Sequence, residues 1–237
     1  MAHEDLVNLP VIAAMSPQKC YCGIVRKVGA DFLLVDDPEM GMALVALEHI
    51  KQLRVGEGVP VHKPPQIDAA SAPLDPGSLP DALHGVVRTW VASVLQLDGA
   101  GPDPIVVYVI DVKADYLVVS AIPDGVLYIP VRHIQLVRPL DVQIQPEFVE
   151  WANHQKEQLP TGATRLIEAL EQEVGKLAKF GRGGADEVVG IIRAVHEQFV
   201  ELVVSPCERV RIPMHHVKSV SRPGRLNAQA SPGMTSA

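Results

Sequence analysis

DYLVVSAIPDGVLYIPVRHIQLV, residues 115–137, runs through two apolar stretches around a Pro-Asp-Gly turn and closes on a histidine set in an apolar segment. Two other stretches align with it without a gap: DFLLVDDPEMGMALVALEHIKQL, residues 31–53, and QFVELVVSPCERVRIPMHHVKSV, residues 198–220. Each places an aromatic second (Phe32, Tyr116, Phe199) and a histidine seventeen positions later (His49, His133, His216). The histidines are 84 and 83 residues apart. The chain therefore carries three copies of a unit of about eighty residues, the size of a small domain rather than of a solenoid repeat.

The repeat extends upstream. GIVRKVGA from Gly23, VYVIDVKA from Val107 and GIIRAVHE from Gly190 hold the same distance to the aromatic. Each unit reads as a strand from about the glycine, a strand through the aromatic, a turn rich in Asp, Pro and Gly, and a strand ending near the histidine. Short final strands follow at 51–53, 135–137 and 218–220. In the third unit TGATRLIEALEQEVGKLAKFGRGG sets Leu166, Ile167, Leu170, Val174 and Leu177 at helical spacing, with Thr161 or Thr164 as its cap. In the second, Ser78 and Pro80 open a similar segment, divided near Arg88 into a helix and a strand over 90–97. The first unit has only about twenty residues before its glycine and a proline at 10, so its helix is shortened or missing, and VIAAM, 11–15, reads as its first strand.

These patterns divide the chain into unit 1 at 1–56, a Pro-rich linker at 57–77, unit 2 at 78–141, a connector at 142–160, unit 3 at 161–223 and a disordered tail at 224–237. The connector is apolar enough to pack. Aromatic content is only 4%, so branched aliphatics fill the cores, which favours strands. The formal net charge of −7 has the wrong sign for a chain whose main partner is a polyanion. No apolar run is long enough to span a bilayer, and acidic residues stand where a signal peptide carries lysines. Three cysteines, Cys20, Cys22 and Cys207, are too few for a disulfide framework and agree with a reducing, cytoplasmic setting.

A helix followed by about five short bent strands, with Gly23 or Gly190 in the second and Asp31-Phe32 or Asp115-Tyr116 entering the third, resembles the Sm-like small barrel, including its bacterial Hfq branch. The endings VALEHIKQL, YIPVRHIQLVRP and RIPMHHVKSVSRP are also similar to Sm-like repeat proteins of spore-forming bacteria, some of them associated with spore coats. The resemblance covers about three quarters of the chain on short motifs. It implies a mainly β fold of three tandem small barrels, with helices leading the second and third. It also implies association through open strand edges. Two departures bear on function. The Asn that RNA-binding Sm proteins carry shortly after the Asp is missing from FLLV and YLVV. Where Hfq-type proteins place a Lys-His pair, this chain has Glu48-His49, Arg132-His133 and His215-His216.

The three histidines read first as structural, each hydrogen-bonding backbone at a bend between strands. An anion or nucleic-acid site falls on the middle unit, at Tyr116, Arg132, His133 and Arg138. Cys20 and Cys22 with His215 suit zinc chemically, but no spacing demands a metal. No nucleophile–base set, phosphate loop or carboxylate pair appears; GRGGADE lacks the Lys-Ser/Thr of a phosphate loop. The expectation is a non-enzymatic structural or assembly protein without cofactor, self-associating as a dimer or pseudo-ring, cytoplasmic or spore-associated. RNA binding by the middle unit and an enzyme with a pocket between units are the alternatives.

Overall fold

The structure, a computed structural model, describes residues 4–56, 74–122 and 124–222. Most of the expected linker and all of the expected tail lie outside these residues. The described chain is mainly β and builds one antiparallel sheet of fifteen strands.

The strands fall into three groups of five that follow the repeat. Group 1 holds β1 (Pro10–Ser16), β2 (Lys19–Val28), β3 (Phe32–Asp37), β4 (Gly41–Ala46) and β5 (Gln52–Val55). Group 2 holds β6 (Val94–Asp98), β7 (Ile105–Val112), β8 (Tyr116–Ala121), β9 (Gly125–Pro130) and β10 (Leu136–Pro139). Group 3 holds β11 (Leu177–Phe180), β12 (Val188–Val195), β13 (Phe199–Ser205), β14 (Glu208–Pro213) and β15 (Val220–Ser221). Within each group the spatial order is fourth, third, second, first, fifth. VIAAM does lie on a first strand, β1.

The second strand of every group is bent at the same place. Register shifts fall between Val25 and Lys27, Val109 and Asp111, and Ile192 and Ala194. One extra residue on one strand kinks it and tightens its twist. The glycine three residues before the bulge has a steric reason in groups 1 and 3. A Cβ on Gly23, whose φ is +155°, would stand 2.3 Å from Asp36 O, and one on Gly190 2.8 Å from Val203 O.

Helix α1 (Leu83–Thr89) precedes group 2 and helix α3 (Leu166–Glu171) precedes group 3. The apolar pattern of the third unit ran further, to Leu177, than the helix does. The chain leaves α3 before Gly175, at φ +84°, whose N–H donates to Ile192 O; Val174 and Leu177 end up exposed. The connector contains a helix that the sequence reading had not assigned, α2 (Pro146–Glu157), with its proline in the first turn, where the missing N–H costs nothing. Phe148 packs edge-on against Tyr108, with ring centroids 5.9 Å apart.

The cores do not coincide with the groups. One joins Phe32, Leu34, Leu44 and Ala46 of group 1 to Leu83, Val86 and Val87 of α1 and to group 2. Another joins Tyr116, Val118 and Tyr128 of group 2 to Leu166, Ala169 and Leu170 of α3 and to group 3. Each helix therefore buries its apolar face partly on the preceding group.

Candidate functional site

Two internal joints link the groups, and they are built alike. The fifth strand of one group pairs with the fourth strand of the group before it: β10 with β4, and β15 with β9. Val137 stands opposite Leu44 in the first joint and Val220 opposite Tyr128 in the second; the repeat makes these the same pair, so the register is the same. An aspartate repeats as well. Asp31 Oδ1 accepts from Leu83 N–H at 2.6 Å, and Asp115 Oδ1 from Leu166 N–H at 2.8 Å. Each carboxylate thus caps the helix of the following group, where unpaired N–H groups and the helix dipole favour negative charge. That cap replaces Thr161 or Thr164 as the partner expected for α3.

Polar side chains cross both joints. In the first, Lys19 Nζ lies 2.8 Å from Gln135 Oε1 and also pairs with the buried Asp98, whose other oxygen accepts from Tyr21 OH. Burial, then the neighbouring Asp98 charge, pushes the Tyr21 phenol far above its ordinary range. Arg138, 2% exposed, donates to Gln96 Oε1 at 2.9 Å and to Met40 O at 2.8 Å. In the second joint Asp124 accepts from Lys179 at 2.7 Å and Arg182 at 2.9 Å. Burial opposes ionisation of Asp124, but these two cations outweigh it and hold the carboxyl below its usual range.

The four residues expected as an anion site do not converge. Tyr116 is buried, edge-on to Tyr128 with centroids 5.7 Å apart, and Arg138 is closed inside the first joint. Arg132 and His133 share a short 3-10 turn, Val131–His133, between β9 and β10. Matching turns, Leu47–His49 and Met214–His216, carry the other two repeat histidines. Arg132 reaches across and donates to Met214 O, so adjacent turns touch. His133 is depressed to about 4, by burial first and then by Arg132, His49 and Lys218. His49 and His133 are half-buried, and the Nε2 of each meets no hydrogen-bond partner among the described residues; His216 is exposed.

Among the described residues two strand edges are unpaired: β5 at one end of the sheet and β14 at the other. They are the same two kinds of strand that meet in the joints, yet their surfaces differ. At the positions of Leu34 and Leu44, and of Val118 and Tyr128, group 3 has Glu201 and Arg211. Arg211 Nε donates to Glu201 at 2.8 Å, Arg193 bonds the other oxygen, and Arg209 lies 3.7 Å from it. The hydrogen bonds from Arg211 and Arg193 draw the Glu201 carboxyl below its usual range. Arg193, Arg209 and Arg211 are themselves 51%, 61% and 67% exposed, which leaves a cationic face. Gln198, at the place of Asp31 and Asp115, is exposed. The sequence reading missed this reversal, although the aligned repeats carry it.

Among the described residues there is no cluster of three or more His, Cys, Asp or Glu placed to hold a metal ion, and no helix long and apolar enough to cross a membrane. The chain is similar to YwrJ of Bacillus subtilis (strain 168), an uncharacterized protein. The two are 21% identical over 227 residues, 93% of this chain and 98% of YwrJ. The likeness to YwrJ thus takes in all three repeats. No family model matches the chain.

Proposed function

We propose that the protein is a non-enzymatic assembly protein of three Sm-like units, in which β5 of one copy pairs with β14 of another and two copies close a series of six units. The observation that carries this reading is the pair of internal joints, which use the same strand types in the same register and leave one strand of each type open. Open edges of a sheet are templates for further pairing. In the shared register Leu53 stands opposite Arg211. Arg54, exposed on β5 and bonded to Gln52 Oε1 at 3.1 Å within its own strand, occupies the place of Arg138, which in the first joint reaches the main chain of the neighbouring hairpin.

The contact between copies differs in chemistry from the internal joints. Among the described residues no α-helix precedes group 1; the 3-10 turn Glu4–Leu6 brings the carboxylate of the exposed Asp5 to that end. It complements the arginines around Glu201, so the joint is ionic and screened by salt. Native mass spectrometry and light scattering test it. A particle of twice 25.6 kDa at low ionic strength, dissociating as salt rises, is the expected result; a 25.6 kDa monomer throughout overturns it. Spore association belongs to the same reading and is supported only by the sequence resemblance.

A second reading, binding of single-stranded RNA, is favoured by the contact that brings Arg132 and His133 beside the turn of His215 and His216. Binding that weakens with salt and is lost in Arg132→Ala/His133→Ala supports it.

A further inference from the structure

The three cysteines acquire a relation only when the repeat is superposed on the second joint. There Lys179 Nζ lies 2.7 Å from Asp124 Oδ1 and 3.8 Å from Glu187 Oε2. Asp124 sits at the tip of the β8–β9 hairpin of group 2 and Glu187 just before β12 of group 3, so the two positions face each other across the joint. By the repeat, the place of Asp124 in group 3 is Cys207, at the exposed tip of the β13–β14 hairpin. The place of Glu187 in group 1 is Cys20, on β2, and the place of Lys179 is Ile12, so no ammonium separates the two positions. The first joint has Met40 and Pro104 at the two cysteine positions, so the only joint that can bring two thiols together is the one between copies.

We infer that Cys207 of one copy and Cys20 of the next form an oxidisable pair that locks the contact between copies. This rests on the pairing of β14 with β5 proposed above. Cys22 is the less suited partner, because its thiol donates to Asp37 Oδ2 at 3.6 Å within its own group. The chemistry is dithiol oxidation by a disulfide such as oxidised glutathione. The Cys20–Cys207 sulfur–sulfur bond forms, the oxidant's bond breaks, and its two sulfurs leave as two thiols carrying the two electrons and the two protons. Both hairpin-tip and strand backbones must bring the Cα atoms within the roughly 4.4–6.8 Å that a disulfide spans. Cys207 stands on the exposed two-residue turn Pro206-Cys207. Under reduction the ionic joint remains reversible; oxidation makes it permanent.

The test treats the full chain with oxidised glutathione at low ionic strength, then applies denaturing non-reducing electrophoresis and peptide mapping, with native mass spectrometry run in parallel. The expected result is a band at twice the chain mass containing a Cys20–Cys207 peptide. The band disappears in Cys20→Ser and in Cys207→Ser and persists in Cys22→Ser. A native two-copy particle that yields no such link, or a link through Cys22 or between two Cys207 residues, overturns the cysteine pairing and leaves the assembly standing. A native monomer overturns both.

Discussion

The outward face of group 1 and the outward face of group 3 are built on the same strands, yet one is a core and the other a surface. Leu34 and Leu44 are fully buried in the core that holds α1, while at the same positions Arg211 meets water and Glu201 is buried beneath arginines. The fifth strands differ in the same way: β10 is buried at all four residues, and β5 is exposed at three of four. What makes a strand edge interior or exterior is thus decided by three or four side chains and by the presence of a following helix, not by the backbone pattern. Charge on an open edge also keeps it from pairing indiscriminately.

The comparison breaks most sharply if the terminal chemistry is moved inside. Leu34→Glu puts a carboxylate into the apolar core that also holds Leu83 and Val86. Denaturant unfolding should show a loss on the order of 4 kcal/mol or more. The paired arginines give the next largest contrast. Arg138→Ala leaves Met40 O and Gln96 without their buried donor and should cost about 2–3 kcal/mol. Arg54→Ala, at the matching place on the open edge, should change monomer stability by less than about 0.5 kcal/mol and show its effect only in the proposed two-copy particle. The caps sharpen the comparison further. Asp31→Ala and Asp115→Ala each remove a helix cap and should lose about 1 kcal/mol, whereas Gln198→Ala should lose nothing measurable.

A further contrast is one of pH. Burial keeps His133 neutral in the fold down to about 4, whereas in the unfolded chain it takes up a proton near 6.5. The unfolded state therefore binds more protons between these values, so stability is complete above pH 6.5 and declines as pH falls toward 4. Thermal unfolding at pH 7 and pH 5 should show that decline, and His133→Gln should flatten it.

Much of this was legible in the sequence, because the gapless repeat carries period, strand order and hairpins together. The aromatic second residue, the strand glycine and the histidine turn all fall where the spacing put them. The bulge was not legible, since an extra residue repeated in every copy leaves no irregularity in the alignment. Nor was the location of the cores: Phe32 and Leu34 look like any strand residues, and nothing local says that their neighbours are Leu83 and Val86, half a hundred residues on. Arg138 read as a surface cation because charge and exposure usually go together, and a joint that buries it is invisible from one strand. The signal that was present and unused lies in the columns of the repeat, where Leu, Val and Glu, or Leu, Tyr and Arg, share a position.

Cores shared between neighbours have a consequence for biosynthesis. When the ribosome has delivered residues 10–55, group 1 has its strands but not the lid for Phe32, Leu34 and Leu44, which arrives with α1 at Leu83–Thr89. Group 2 waits in the same way for α3 at Leu166–Glu171. Each segment thus emerges sticky and is sealed by the next, until group 3, whose charged face needs no successor, ends the sequence of closures.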